Sequence, residues 1–493
     1  KKARKAEVVF KFRVTPHGEE GDSDRAPAAV VEEAIAESSM ASLLEQKIRM
    51  PEGQALYDAQ HATTQQQQAS QQQQAQQEET AQQTNNEQEM VVDPFQVQGK
   101  IDYNKLVDQF GSRLIDEELM NRFERMTVGK GHVAKLHRFL RRGIFFSHRD
   151  LSGILDCVEA GQPIYLYTGR GPSSSAMHLG HLVPFLFTQW LQEALDCPLV
   201  IQMTDDEKFL FKGTYDEHTG DNLDHFANLT MENARDIIAC GFNFHKTFLF
   251  SDLDYVGRMY PNIVRIWKSV TTNTVNGIFG FDGTSNIGKI AFPAVQAAPS
   301  FASSFPTVLQ AARNSPMACL IPCAIDQDPY FRMTRDVSHK MVINHKEHKL
   351  GGKPALIHSK FFPPLQGAKG KMSSSDSNSA IFLTDTPDEI DRKIKQHAFS
   401  GGQESKALQE ELGADLEQDV AYQWLRFFLE DDDELERIGK EYGAGKGEYW
   451  STGKVKKRLI TELQALVATH QERRAKITDE EVHKWMEERS IVG

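Results

Sequence analysis

No apolar run in the 493 residues approaches the roughly 18 to 20 that a bilayer-crossing helix needs, so no membrane association is expected. Cysteine is scarce. Cys157, Cys197, Cys240, Cys319 and Cys323 make five, an odd number without paired spacing, which argues against a disulfide framework and for a reducing compartment. Cys319 and Cys323 stand in an apolar run with no His or Cys pair at ligand spacing, so they read as core thiols and no metal site is assigned. Positive charge is also short: 56 Lys and Arg face 69 Asp and Glu, a net charge of −13. A nucleic acid would therefore have to be held by local basic patches against an overall repulsion. The basic start (Lys1, Lys2, Arg4, Lys5) is followed by Glu19, Glu20, Asp22 and Asp24, whereas transit peptides are poor in acids. The cytosol is the expected compartment.

What is present is ordinary for a globular protein, with 40% hydrophobic and 25% charged residues, and the length exceeds what one core supports. Five segments are expected: an extension over 1–57, a glutamine-rich disordered linker over 58–93, a preface of mixed short elements over 94–160, an α/β region over 161–385 and a helical region over 386–493. In the extension, Val8 to Val14 has strand character and Ala26 to Ile48 helical composition. The linker is richest in glutamine from Gln65 to Gln88, where apolar residues that could offset the entropy of ordering are missing. In the preface, His137 to Arg142 (HRFLRR) reads as a solvated charged face. The β-prone runs Ile164–Tyr167, Leu199–Met203, Thr247–Phe250, Cys319–Ile325 and Ala355–His358 alternate with helical stretches, which predicts a doubly wound parallel sheet of Rossmann type. Ligands of such sheets bind beyond the carboxyl ends of the strands. After Thr386 the β signals end and Val420–Leu429, Lys454–Glu472 and Glu480–Glu487 read as helices.

Two segments carry the chemistry. In Tyr167 to His181 (YTGRGPSSSAMHLGH) a strand end passes through a Gly- and Ser-rich loop into a helix along which Leu179, Leu182, Val183, Leu186, Phe187, Trp190 and Leu191 share one face. Small residues admit a ligand close to the backbone, and amides at a helix start favour an anion. His178 and His181 share one face of the first turn and could donate to a phosphate, although alone they equally suit two partly exposed histidines. Pro184 should disturb the helix against the carbonyl of Gly180, a residue small enough to let the backbone adjust. The second segment, Gly367 to Asp376 (GAKGKMSSSD), is a loop with Lys369 and Lys371 beside small hydroxyl residues. It could close over a nucleotide, or equally be a surface loop or a phosphorylation site.

Together, HLGH after a strand and KMSSS after the sheet resemble the paired signatures of the class I aminoacyl-tRNA synthetases. The runs IQMTDDEK (201–208), FPAVQAAPSF (292–301) and AIDQDPYFRMTRD (324–336) extend the resemblance, over about 94–486, to the tryptophanyl-tRNA synthetases of eukaryotic cytoplasmic type. Tyrosyl enzymes share the fold and signatures but not this set of runs; they, and a non-catalytic relative kept as a binding protein, are the alternatives.

The resemblance implies a catalytic α/β domain followed by an anticodon-binding helical domain, with ATP, Mg2+ accompanying the nucleotide, L-tryptophan and tRNA(Trp) as ligands, and a homodimer. It assigns Gly169, Arg170, His178, Gly180, His181, Asp326, Lys371, Met372 and Ser373 to ATP, with Lys371, His178, His181 and Arg170 as the catalytic set. It places the indole nitrogen between Tyr167 and Gln202, sets Glu207, Gln296 and Gln327 around the ammonium group, and lines the ring pocket with Phe331. The chemistry agrees, because an indole N–H is only a donor and an ammonium needs acceptors. One departure stands out: many class I enzymes carry a second lysine where this chain has Ser374. More of the charge stabilisation then falls to Lys371, Arg170 and magnesium.

Gly283 to Ile290 (GTSNIGKI) approaches the phosphate-loop pattern, yet Ile290 offers no hydroxyl to a metal. Lys446, Lys454, Lys456, Lys457 and Arg458 lie beside Tyr449 and Trp450; on residue types they suit a solvated face, and the resemblance suggests tRNA phosphate contacts.

Overall fold

The computed structural model describes residues 90–92, 97–99, 101–367, 372 and 378–492, all within one compact unit. The extension over 1–57, the glutamine tract, Lys369, Lys371, Ser373 and Ser374 lie outside the described residues. The frame is a seven-stranded sheet of β1 (Arg113–Leu114), β2 (Phe145–Arg149), β3 (Ile164–Arg170), β4 (Leu199–Met203), β5 (Thr247–Ser251), β6 (Ala318–Ala324) and β7 (Ala355–Ser359). Its order is β1-β2-β7-β6-β3-β4-β5. The last five strands in sequence are mutually parallel, whereas β2 runs antiparallel to β7 and β1 antiparallel to β2. The sheet is thus mostly parallel, with an antiparallel edge drawn from the preface.

The parallel strands are buried along most of their length because both faces are covered. Alternate residues enter different cores: Leu166, Ile201 and Leu249 pack on one side, and Tyr165, Tyr167, Val200, Phe248 and Phe250 on the other. The first side is closed by α1 (Leu179–Leu195), whose expected apolar face is buried apart from half-buried Leu186. Pro184 lies within α1, and the Thr188 hydroxyl caps its carbonyl at 2.8 Å. Further helices follow the strands: α2 (Asp205–Lys212), α3 (Leu223–Ile238), α4 (Asp252–Ser269), α5 (Ile287–Ala297) and α6 (Asp328–Met341).

The chain crosses from one half of the parallel sheet to the other between β3 and β6, and such a switch opens a crevice beyond the strands' carboxyl ends. The helical region contributes α7 (Pro387–His397), α8 (Val420–Phe428), α9 (Asp432–Ala444) and α10 (Thr452–Arg474). One expectation fails at HRFLRR. Arg138 donates to the Phe427 carbonyl and Glu430, Arg141 to Asp432 at 2.7 Å, and Arg142 to Asp432 at 2.5 and 2.8 Å. The stretch is an ionic clamp onto the helical region rather than a solvated face, because its acidic partners lie far along the chain.

Candidate active site

Gly169 and Arg170 end β3 at the crevice, and the loop from Gly171 leads to His178 at the start of α1. Two residues of α3 hold this loop. Asn233 accepts from Arg170 Nε at 3.2 Å and donates to the Ser174 carbonyl at 2.7 Å, while Asp236 accepts from the Met177 N–H at 3.2 Å. Arg170 Nη2 is buried without a hydrogen-bond partner, and burial pulls the guanidinium pKa down to about 10. Both ring nitrogens of His178 are likewise buried, and among the described residues neither has a hydrogen-bond partner of good geometry. Burial, then the Arg170 charge, lowers the His178 pKa to about 3, so the ring is neutral at physiological pH. His181 stacks on it with ring centroids 3.5 Å apart. Buried donors without acceptors cost free energy, and a phosphate would satisfy them together.

The second signature reaches the same place. Met372 is buried, and a Cβ added at Gly180 would sit 3.4 Å from its sulfur and 3.1 Å from His178 Nδ1. The chain after the loop then runs against the first signature: Leu383 N donates to the Met177 carbonyl at 2.9 Å, and Leu179 N to the Ile381 carbonyl at 3.0 Å. A buried Lys393–Asp385 ion pair at 2.7 Å holds this segment, and Asp385 also accepts from Phe382 N at 2.9 Å. His178, Met372 and the residues from Ile381 to Leu383, distant in sequence, meet at one rim.

Beside it lies a buried polar chain. The Tyr167 hydroxyl lies 2.5 Å from Gln202 Oε1 and 2.9 Å from the Gln296 carbonyl, both acceptors, so its one proton is spent and its lone pairs meet no donor among the described residues. Gln202 Nε2 donates to the two Asp252 oxygens at 2.7 and 2.9 Å. Phe331 stands edge-on to Tyr167 with centroids 6.1 Å apart. Glu207, on the first turn of α2, accepts from Thr204 at 2.9 Å and Lys208 at 2.8 Å. Asp326 and Gln327 follow β6, Asp326 fully buried and Gln327 partly so. The start of α6 is fixed by Arg149, which donates to Asp328 at 2.6 and 2.8 Å, and by His358 at 3.2 Å. Ser147 lies 3.0 Å from His358, but this serine, histidine and aspartate are all fully buried; they seat α6 and form no exposed nucleophile.

Four residues at this rim went unread in the sequence: Lys208, Asn233, Asp236 and Asp252. Asp252 opens the helix after β5, a position where a signal existed, because residues just past parallel strands face the crevice. Asn233 and Asp236 sit mid-helix and carried none. In the helical region, Lys454 pairs with Glu448 and lies over Trp450, Lys456 donates to the Lys395 carbonyl, and Arg458 binds Glu434 and Glu462. Lys446 and Lys457 are exposed and make no ion pair among the described residues. The phosphate-loop lookalike is shaped by Asn286, which caps α5 by accepting from Lys289 N at 2.9 Å.

The family described as tRNA synthetases class I (W and Y) matches residues 159–468. The cytoplasmic tryptophan–tRNA ligase of Oryctolagus cuniculus is 53% identical over 82% of this chain and 82% of its own length. That of Arabidopsis thaliana is 53% identical over 82% of this chain and 95% of its own. Among solved structures, the Plasmodium falciparum tryptophanyl-tRNA synthetase matches with a TM-score of 0.69 and 43% identity, over 79% of this chain and 95% of its own. The Encephalitozoon cuniculi tryptophanyl-tRNA synthetase bound to tryptophan gives 0.69 and 38%, over 79% and 98%. These similarities accord with the crevice geometry: the chain belongs to the class I tRNA synthetases for tryptophan and tyrosine, in the tryptophan–tRNA ligase branch.

Proposed function

We propose that the chain is a cytoplasmic tryptophan–tRNA ligase, joining L-tryptophan to the 3′ end of tRNA(Trp) with ATP. The observation that carries the choice of amino acid is the Tyr167 oxygen, flanked by acceptors alone. An indole N–H is a donor only and suits that site. A phenol could donate its proton, but its own lone pairs would face the same acceptors, which disfavours tyrosine.

The substrate carboxylate is ionised at neutral pH and attacks the α-phosphorus directly, forming the acyl–phosphate bond as the bond to pyrophosphate breaks. No catalytic base is needed. Arg170, neutral His178, His181 and Lys371 act on the triphosphate, with Gly169, Gly180, Met372 and Ser373 shaping its cradle and Asp326 facing the ribose. Their contribution is alignment and stabilisation of charge on the departing pyrophosphate. Mg2+ accompanying the nucleotide would supply further neutralisation. Glu207, Gln296 and Gln327 receive the ammonium group, and Phe331 lines the ring pocket. In the second step the 2′ hydroxyl of the terminal ribose attacks the acyl carbon and AMP leaves.

In this reading 161–385 is the catalytic domain, 94–160 its preface and 386–493 the anticodon-binding domain, where Lys446 and Lys457 contact phosphates. The chain acts as a homodimer, supported by the exposed apolar stripe of Leu253, Tyr260, Val264 and Trp267 along α4. Exchange of labelled pyrophosphate into ATP tests the assignment. It is expected with tryptophan and absent with tyrosine; tyrosine-driven exchange, or none with either, would overturn it.

A further inference from the structure

Gln202 can read an indole N–H only if its amide oxygen faces the pocket. The two ends of an amide have the same shape, so partners decide which way it points. On one side is the Tyr167 hydroxyl at 2.5 Å; on the other are the Asp252 oxygens at 2.7 and 2.9 Å. Gln202 and Asp252 are 0% and 1% exposed, so solvent is not available to satisfy a misplaced group.

We propose that Asp252 is a positioning residue that holds the Gln202 amide in one orientation and thereby sets the preference for a substrate carrying a ring N–H. Turned over, the amide would place Oε1 against the Asp252 oxygens, acceptor against acceptor in a dry site. Its Nε2 would at the same time donate to the Tyr167 oxygen, occupying one of its lone pairs and competing with the ligand for that oxygen. The pocket would lose the amide acceptor and part of the phenolic one, so an indole N–H would be held more weakly. Asp252 is well placed for this role: it is the first residue of α4, directly after β5, and Gln202 pairs in register with Phe250 of that strand. Burial, then the neighbouring Asp206, raises the Asp252 pKa, and the same surroundings bring Asp206 up to about 6. Even a protonated Asp252 keeps lone pairs on its oxygens, which lie 2.7 and 2.9 Å from Gln202 Nε2, so it still accepts from that amide.

This inference rests on the reading of Tyr167 and Gln202 as the indole-sensing pair, and the experiment separates the two. The full chain is assayed by pyrophosphate exchange with tryptophan and with β-(3-benzothienyl)alanine, in which sulfur replaces the N–H without changing the ring shape. The wild type is expected to prefer tryptophan, and Gln202→Met to lose much of that preference. Asp252→Asn, which can offer a donor to Gln202, is expected to lower the ratio of kcat/KM values about tenfold, the worth of roughly one hydrogen bond, with the KM for ATP unchanged. Asp252→Ala is expected to lower the ratio in the same direction. An unchanged ratio in the folded Asp252 variants, or a parallel loss with both amino acids, overturns the proposal. So does failure of both variants to fold, which would make Asp252 a support of the core. If Gln202→Met also leaves the ratio unchanged, the reading of the pocket itself falls.

Discussion

At His178 two ring nitrogens are enclosed without a hydrogen-bond partner of good geometry among the described residues, and the ring is neutral because burial and Arg170 disfavour its charged form. A neutral imidazole donates one hydrogen bond without repelling Arg170, which is what a site for a departing anion requires. Because its pKa is lowered to about 3, His178 should contribute no titration to the exchange rate between pH 5 and 8. A rate limb that follows one proton near pH 6.5 and vanishes in His178→Gln would refute the neutral ring. Gly180 makes a second test. A methyl there would lie 3.1 Å from His178 Nδ1 and 3.4 Å from the Met372 sulfur, inside the space the two signatures share. Gly180→Ala should raise the KM for ATP about tenfold and leave tryptophan binding, followed by calorimetry, unchanged. These residues were legible in the sequence because small and titratable groups clustered in two short motifs. The supports were not: Asn233, Asp236 and Asp252 act through contacts across the chain that no local pattern announces.

Among the elements, α10 is tied to the active-site rim by two contacts. Arg474 donates to Asp236 at 2.7 Å, and Asp236 also holds the Met177 N–H just before His178. Gln471 donates to the carbonyls of Leu383 at 2.8 Å and Asp385 at 3.1 Å, in the segment that follows the second signature. Arg474→Ala would leave Asp236, 1% exposed, without its ionic partner, which costs about 3 kcal/mol where the site cannot relax. Denaturant unfolding should show a loss of that order together with slower exchange; an unaltered protein would break the link drawn between the helical region and the rim. The clamp between the preface and α9 gives a milder case. Asp432 is 45% exposed, so Asp432→Ala should lower stability by only about 1–2 kcal/mol, and a cycle with Arg142→Ala should show coupling. The parallel strands were readable because each holds an apolar run of three or more residues set between helical stretches. β1 is two residues long and β2 (FFSHR) carries polar residues, so neither gave that signal.

For the molecule as a whole, the acid limit is set by histidines whose pKa burial lowers, His137, His148, His178 and His470 among them. Burial lowers His137 to about 2, His178 to about 3 and His148 to about 4, from 6.5. Each therefore takes up a proton in the unfolded chain before the folded one. Through these histidines stability is unaffected above pH 6.5 and falls as pH drops below it, by roughly 1.4 kcal/mol per unit for each histidine until its folded pKa is reached, offset in part by Asp206, which burial raises to about 6 and which is protonated in the folded chain first. Melting temperatures across pH 7 to 4.5 should decline steadily, and a flat profile would contradict those burials. The parallel sheet and its ligand edge could be anticipated from alternating strands and helices. The clamp and the antiparallel edge could not, because both join residues far apart in sequence. The claim on which the account depends is that the segments around His178 and Met372 clasp one nucleotide. A crystal structure with tryptophan and a non-hydrolysable ATP analogue tests it most directly. Its triphosphate should lie within hydrogen-bond reach of both Arg170 or His178 and Lys371; a triphosphate touching one segment alone, or bound elsewhere, would contradict the account.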